Sequence, residues 1–96
     1  MKGDKKMKQT LKEMANILDN FDFGCKIDFV DIKLWNEETE DFVDTIGFEE
    51  CSALSDAIKS IDYPGEEYKE WINYPVHFVE VINDKSGNIL SVEITA

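Results

Sequence analysis

Residues 25–48 read CKIDFVDIKLWNEETEDFVDTIGF, and the fold turns on how they are parsed. Apolar residues alternate through Cys25, Ile27 and Phe29, after which the apolar phase moves by one residue to Val30, Ile32 and Leu34. A period of two belongs to a strand with one face on a core, so 25–35 is predicted as a strand. Because a slip of one residue exchanges the two faces, the phase jump predicts a β-bulge near Phe29–Asp31, or a strand covered on both faces. The polar run Asn36-Glu37-Glu38-Thr39-Glu40 breaks the pattern, and alternation resumes through Phe42, Ile46 and Phe48. Two alternating runs around a short polar turn make a hairpin, with its second strand at 41–48.

On the N-terminal side, Met7, Leu11, Met14, Ala15 and Leu18 recur at helical spacing before Asn20-Phe21-Asp22-Phe23-Gly24 stops them, predicting a helix over 7–20. On the C-terminal side, Cys51, Leu54, Ile58 and Ile61 form one helical stripe, predicting a second helix over 50–61. Glu49 and Glu50 would then lie in its first turn and Lys59 in its last, a charge order that suits the helix dipole. The connector DYPGEEYKEWINYP (62–75) has room for one short helical turn at 66–72. Strands at 76–83 and 88–95 flank Asp84-Lys85-Ser86-Gly87, a turn with glycine where positive φ is wanted. The order α-β-β-α-β-β predicts a single small α+β domain: a four-stranded, mainly antiparallel sheet with both helices on one face. Residues 1–6 are expected to be a disordered basic N-terminus and 7–96 the domain.

A chain of 96 residues that is 43% apolar, with six Phe, three Tyr and two Trp, can build one core without metal or disulfides. Its apolar runs are far shorter than the ~20 residues of a membrane span, and its basic start lacks the apolar stretch of a secretory signal. The expectation is a cytoplasmic protein with no membrane partner. Cys25 and Cys51 stand 26 positions apart on the apolar phases of their segments, which reads as two buried thiols with a disulfide as the alternative.

All ten bases are Lys, and five of them lie in the first twelve residues. Residues 13–96 hold five Lys and twenty acids, a net of −15 against −11 for the whole chain. A body so charged, without the Arg that suits bidentate phosphate contacts, is not expected to bind nucleic acid directly. Spread over a span of roughly 30 Å, −15 amounts to one charge per ~2 Å, near the ~1.7 Å axial spacing of duplex DNA. The hairpin alone is about threefold sparser than the duplex, so mimicry would need hairpin, second helix and connector to share a face.

The chemistry-bearing residues point to no reaction. The single His, His77, sits on a strand beside Val76 and Phe78, where a partly buried structural role is the default. Two Cys and one His do not fill a zinc shell. In the register of a calcium loop the first ligand position falls on Ile82 around Gly87 and on Phe42 around Gly47. Phosphate loops and nucleophile elbows are missing from the sequence, and with twenty-one acids a chance carboxylate pair is nearly assured. No catalytic, metal or cofactor site is assigned.

What rises above background is charge placed among aromatics. Residues 37–70 hold twelve acids against Lys59 and Lys69, a net of −10, interleaved with Phe42, Tyr63 and Tyr68 and with Trp71. Aromatic anchors ringed by charge are typical of protein–protein hot spots. A partner footprint is expected on Glu37, Glu38, Glu40, Asp41 and Asp44 at the hairpin end and on Glu66, Glu67 and Glu70 of the connector, with Tyr68 and Trp71 as anchors; Phe42 is assigned to the core. In size, acidity and mixed α/β character, though by no residue motif, the chain resembles the inhibitors that phages and mobile elements deploy against restriction or CRISPR nucleases, and toxin-immunity proteins. That resemblance implies a non-enzymatic protein docking on a basic surface, such as the nucleic-acid groove of another protein. The alternatives are a domain whose acidity serves solubility only and, ranked last, a carboxylate-based enzyme.

Overall fold

Thr10 opens the first helix. Its hydroxyl accepts a hydrogen bond from the Glu13 N–H (3.2 Å) while the Glu13 carboxylate accepts from the Thr10 N–H (3.0 Å), a reciprocal capping box. The computed structural model describes residues 9–20, 24, 26–51, 53–63 and 65–95, and within these helix α1 runs Leu11–Leu18, shorter than predicted. Gln9 and Thr10 are drawn out of the helix because they pair with the start of a strand. The Val76 N–H donates to the Gln9 carbonyl (2.8 Å), the Leu11 N–H donates to the Tyr74 carbonyl (2.9 Å), and Thr10 bridges Pro75. The positions predicted as disordered lie outside the described residues, and so does Cys25.

The remaining elements are β1 (Phe29–Asn36), β2 (Asp41–Glu49), α2 (Leu54–Lys59), a 3-10 helix (Glu66–Asn73), β3 (Val76–Asp84) and β4 (Gly87–Thr95). The sheet order is β2-β1-β4-β3. Two antiparallel hairpins, β1–β2 and β3–β4, are joined through a parallel pairing of β1 with β4 at the centre. The α+β class, the element order and the mainly antiparallel four-stranded sheet are therefore as the sequence implies.

The central pair supplies the core. Val30, Ile32, Leu90, Val92 and Ile94 are fully buried and share one face by register, together with Ile46 of β2 and Val76 of β3. Leu11 and Ala15 of α1, Leu54 and Ala57 of α2, and Trp71 of the 3-10 helix close over them in the same cluster. Each buried Val, Leu or Ile side chain among them contributes roughly 1.5–3 kcal/mol by leaving water. The helices thus occupy one face of the sheet, and no described helix covers the other.

Three expectations are corrected. The bulge near Phe29–Asp31 is not there: that segment pairs residue for residue with both neighbours, and the register shifts between Leu34 and Trp35, where Val43 is the extra residue on β2. The phase jump marks the start of the strand instead, since buried Ile27 precedes β1 and Phe29 begins it on the face opposite Val30. The second helix is shorter than 50–61, because β2 continues to Glu49, paired with Phe29, and Glu50 turns the chain at φ 59°. Glu49 and Glu50 are therefore not in its first turn, where Asp56 stands, although Lys59 does close the last. The short turn expected at 66–72 is a longer, eight-residue 3-10 helix.

Gly87 has φ 135° at the β3–β4 turn, as the turn chemistry requires. A Cβ there would lie 2.5 Å from an Asp28 carboxylate oxygen, and that same oxygen accepts the Asn88 N–H at 3.0 Å. The turn is thereby fastened to the segment preceding β1. Among the described residues no helix is long and apolar enough to cross a membrane.

Candidate functional site

Asn36 builds the acidic hairpin end. Its side-chain oxygen accepts from the N–H groups of Glu38 (2.8 Å) and Thr39 (3.3 Å), and its carbonyl accepts from the Glu40 N–H (2.8 Å). This closes a tight turn and leaves Glu37, Glu38, Glu40 and Asp41 exposed. Glu40 adopts the left-handed conformation (φ 55°), which favours glycine, so the tip carries a charged side chain where the backbone alone would select none.

Asp44 connects this end to the connector. It lies on the helix-facing side of β2, in register with Leu34, and its Oδ2 accepts a hydrogen bond from the Tyr68 hydroxyl at 2.8 Å. The Tyr68 ring in turn meets Trp71 edge to face, with centroids 4.9 Å apart. A chain of contacts thus runs from a surface carboxylate through an aromatic pair into the core. The bond to Asp44 pushes the Tyr68 phenol above its ordinary range, with desolvation and the charges of Asp44 and Glu67 acting in the same sense. Glu66, Glu67 and Glu70 are exposed on the 3-10 helix that carries Tyr68.

The two aromatic anchors separate. Tyr68 is half-buried at the acidic surface, but Trp71 is 5% exposed and belongs to the core, so it offers a partner no area. Phe42, assigned to the core from its alternation, is instead 41% exposed, and Val43 beside it is 59% exposed. The reason is the register shift: β2 is an edge strand, and the extra residue at Val43 turns Phe42 onto the uncovered face, where it packs edge to face on Trp35 at 4.9 Å. Lys33 reaches over the same ring at 5.6 Å. A cleft of about 370 Å³ opens at this end between Leu34, Trp35, Glu37, Glu38 and Val43. Phe42 and Val43 are thus apolar contacts that alternation concealed; the missing hydrophobic residue at position 44 was the signal that the pattern breaks there.

Among the described residues the acids of 37–70 have no ion pair: the salt bridges are Lys26–Asp28 (3.8 Å) and His77–Glu93 (3.1 Å). His77 is partly buried, its Nε2 on Glu93 and its Nδ1 buried without a hydrogen-bond partner. Cys51 is a free, half-buried thiol whose pKa is raised by burial and by Asp56. No known protein family, curated protein or solved structure matches the chain. Fold and surface together define a small acidic α+β domain with one helix-covered and one uncovered sheet face.

Proposed function

We propose that the protein is a non-enzymatic acidic binding protein that docks on a positively charged protein partner through its hairpin end and connector. The observation that supports this most is the Tyr68–Asp44 hydrogen bond, which fastens the connector to the hairpin, the two segments whose acids have no ion pair among the described residues. Phe42 and Val43, exposed at its margin, supply the apolar contact that charge alone lacks. The partner class that fits is a basic nucleic-acid groove on another protein in the cytoplasm, the strongest positive field commonly present there, which the chain would occlude as an inhibitor of the kind mobile elements carry. In this role Trp71 holds Tyr68 in place from the core and makes no contact itself.

The test is affinity capture from the source cell with the wild type and with a variant carrying E37K, E38K, E40K and D41K, followed by binding kinetics with any protein that the wild type alone retains. A basic protein with an association rate that falls with salt for the wild type, and is slow and salt-insensitive for the variant, supports the reading. Equal retention by both would leave the acids with a solubility role only.

A further inference from the structure

The outer strands of an open sheet offer backbone N–H and C=O groups to any other strand, and here those strands are β2 and β3. At the start of β3 the chain answers with its own backbone: the Val76 N–H donates to the Gln9 carbonyl, and Thr10 bridges Pro75. Along β2 the answer comes from side chains of the strand itself. The Phe42 N–H donates to Asp41 Oδ1 and the Thr45 N–H donates to Asp44 Oδ1, both at 2.8 Å. In an antiparallel ladder successive N–H groups point alternately towards the partner strand and away from it. Phe42 and Thr45 are three positions apart, so in a regular strand one of the two would point at β1. The extra residue Val43 removes that conflict and turns both N–H groups to the outer edge, where the carboxylates meet them.

Asp44 is used twice. Its Oδ1 holds the Thr45 N–H while its Oδ2 accepts from the Tyr68 hydroxyl at 2.8 Å, so the connector helps to fix the carboxylate in its place on the edge. Without these caps the strand is well suited to pairing, since it is nine residues long and exposes Phe42 (41%) and Val43 (59%) near its start. The caps oppose pairing in two ways. An incoming carbonyl must displace a carboxylate from each N–H, and a hydrogen bond to a charged acceptor is the stronger one. β2 also carries Asp41, Asp44 and Glu49 and no base, so a second β2 laid antiparallel beside it would bring like charges together.

We propose that Asp41 and Asp44 are an edge lock: their carboxylates close the β2 edge against β2 of a second copy of the chain, which would otherwise pair with it antiparallel about a two-fold axis. The inference is independent of any other partner and is tested on the protein alone, by sedimentation equilibrium at about 300 mM salt, where repulsion between exposed charges is largely screened. D41A/D44A removes both acceptors and both charges, whereas D41N/D44N removes the charges and keeps an acceptor oxygen at each position. Tyr68→Phe removes only the bond to the connector. The wild type and Tyr68→Phe are expected to be monomeric, and D41A/D44A to form a reversible dimer, at least roughly tenfold tighter than any dimer of D41N/D44N. Thr45→Pro deletes an N–H that faces away from β1, so it should leave the wild type folded and should abolish dimerisation when added to D41A/D44A. Circular dichroism reports whether each variant is folded. Asp41→Ala leaves the Tyr68 bond intact and should dimerise more weakly than the double variant; it decides the question if D41A/D44A unfolds. A folded D41A/D44A, or in its place a folded Asp41→Ala, that stays monomeric would overturn the proposal. So would equal dimerisation of D41A/D44A and D41N/D44N, or a dimer that survives Thr45→Pro.

Discussion

Tyr68 and Trp71 sit three residues apart and do different work, and single substitutions separate them. Trp71→Ala empties a buried site and should destabilise the fold by about 3–5 kcal/mol, measured by urea unfolding, a large part of the ~5–15 kcal/mol that typically holds a domain together. Tyr68→Phe keeps the ring on Trp71 and removes only the hydroxyl, so it should release the connector from the hairpin with little effect on the core. The pH dependence of this tie has a definite sign. A phenol whose folded pKa is raised contributes stability that is fully present below its unfolded value near 10 and is lost as pH rises through the higher folded value. The tie should therefore hold throughout neutral pH and fail only in strong alkali. Absorbance titration of the tyrosines should show one phenol above the ordinary range, returning towards it in Asp44→Asn; a wild type without that late component would remove the bond from the account. Cys51, its pKa raised by burial and then by Asp56, should react with a thiol reagent at pH 7.4 more slowly than a free cysteine does.

The hairpins show why some elements were legible in the sequence and others were not. Alternation in 41–48 and 88–95 and the Asp84–Gly87 turn located those strands because each signal is local and has a backbone cause. The parallel contact of β1 with β4 was invisible, since it joins residues some sixty positions apart and arises from packing of two long apolar strands beneath the helices. The register shift at Val43 was misplaced for a related reason: a phase change in sequence marks either a bulge or a strand end, and only the partner strand distinguishes them. The same ambiguity hid Phe42 as a surface residue, whereas the acidic hairpin end was legible as charge density alone. Backbone strain in these elements yields opposite expectations for two turns. Glu40 is left-handed without being glycine, so Glu40→Gly should stabilise the protein by about 1 kcal/mol while removing one charge from the site. Gly87→Ala should destabilise it by roughly 1–3 kcal/mol or more, because φ 135° and the approach of Asp28 both exclude a side chain; a neutral result by thermal unfolding would contradict the fastening of that turn.

At the scale of the whole molecule the question is whether the negative charge acts as a field or only as hydration. The protein measures 41 × 30 × 23 Å. Over the long axis the −15 of residues 13–96 gives one charge per roughly 2.7 Å, sparser than the ~1.7 Å of duplex DNA but within a factor of two of it. The Tyr68–Asp44 hydrogen bond ties the connector to the hairpin, and under the proposed function the exposed acids of these two segments act chiefly on the rate of encounter. The central claim is thus kinetic. It is tested most directly by measuring the association rate of the captured partner with the wild type and with the E37K/E38K/E40K/D41K variant at about 50 and 300 mM salt, folding being verified by circular dichroism. The account predicts that the wild-type rate falls by roughly tenfold or more between the two salts while the variant associates slowly at both, with dissociation little changed. Equal association rates for the two proteins, equally sensitive to salt, would contradict it.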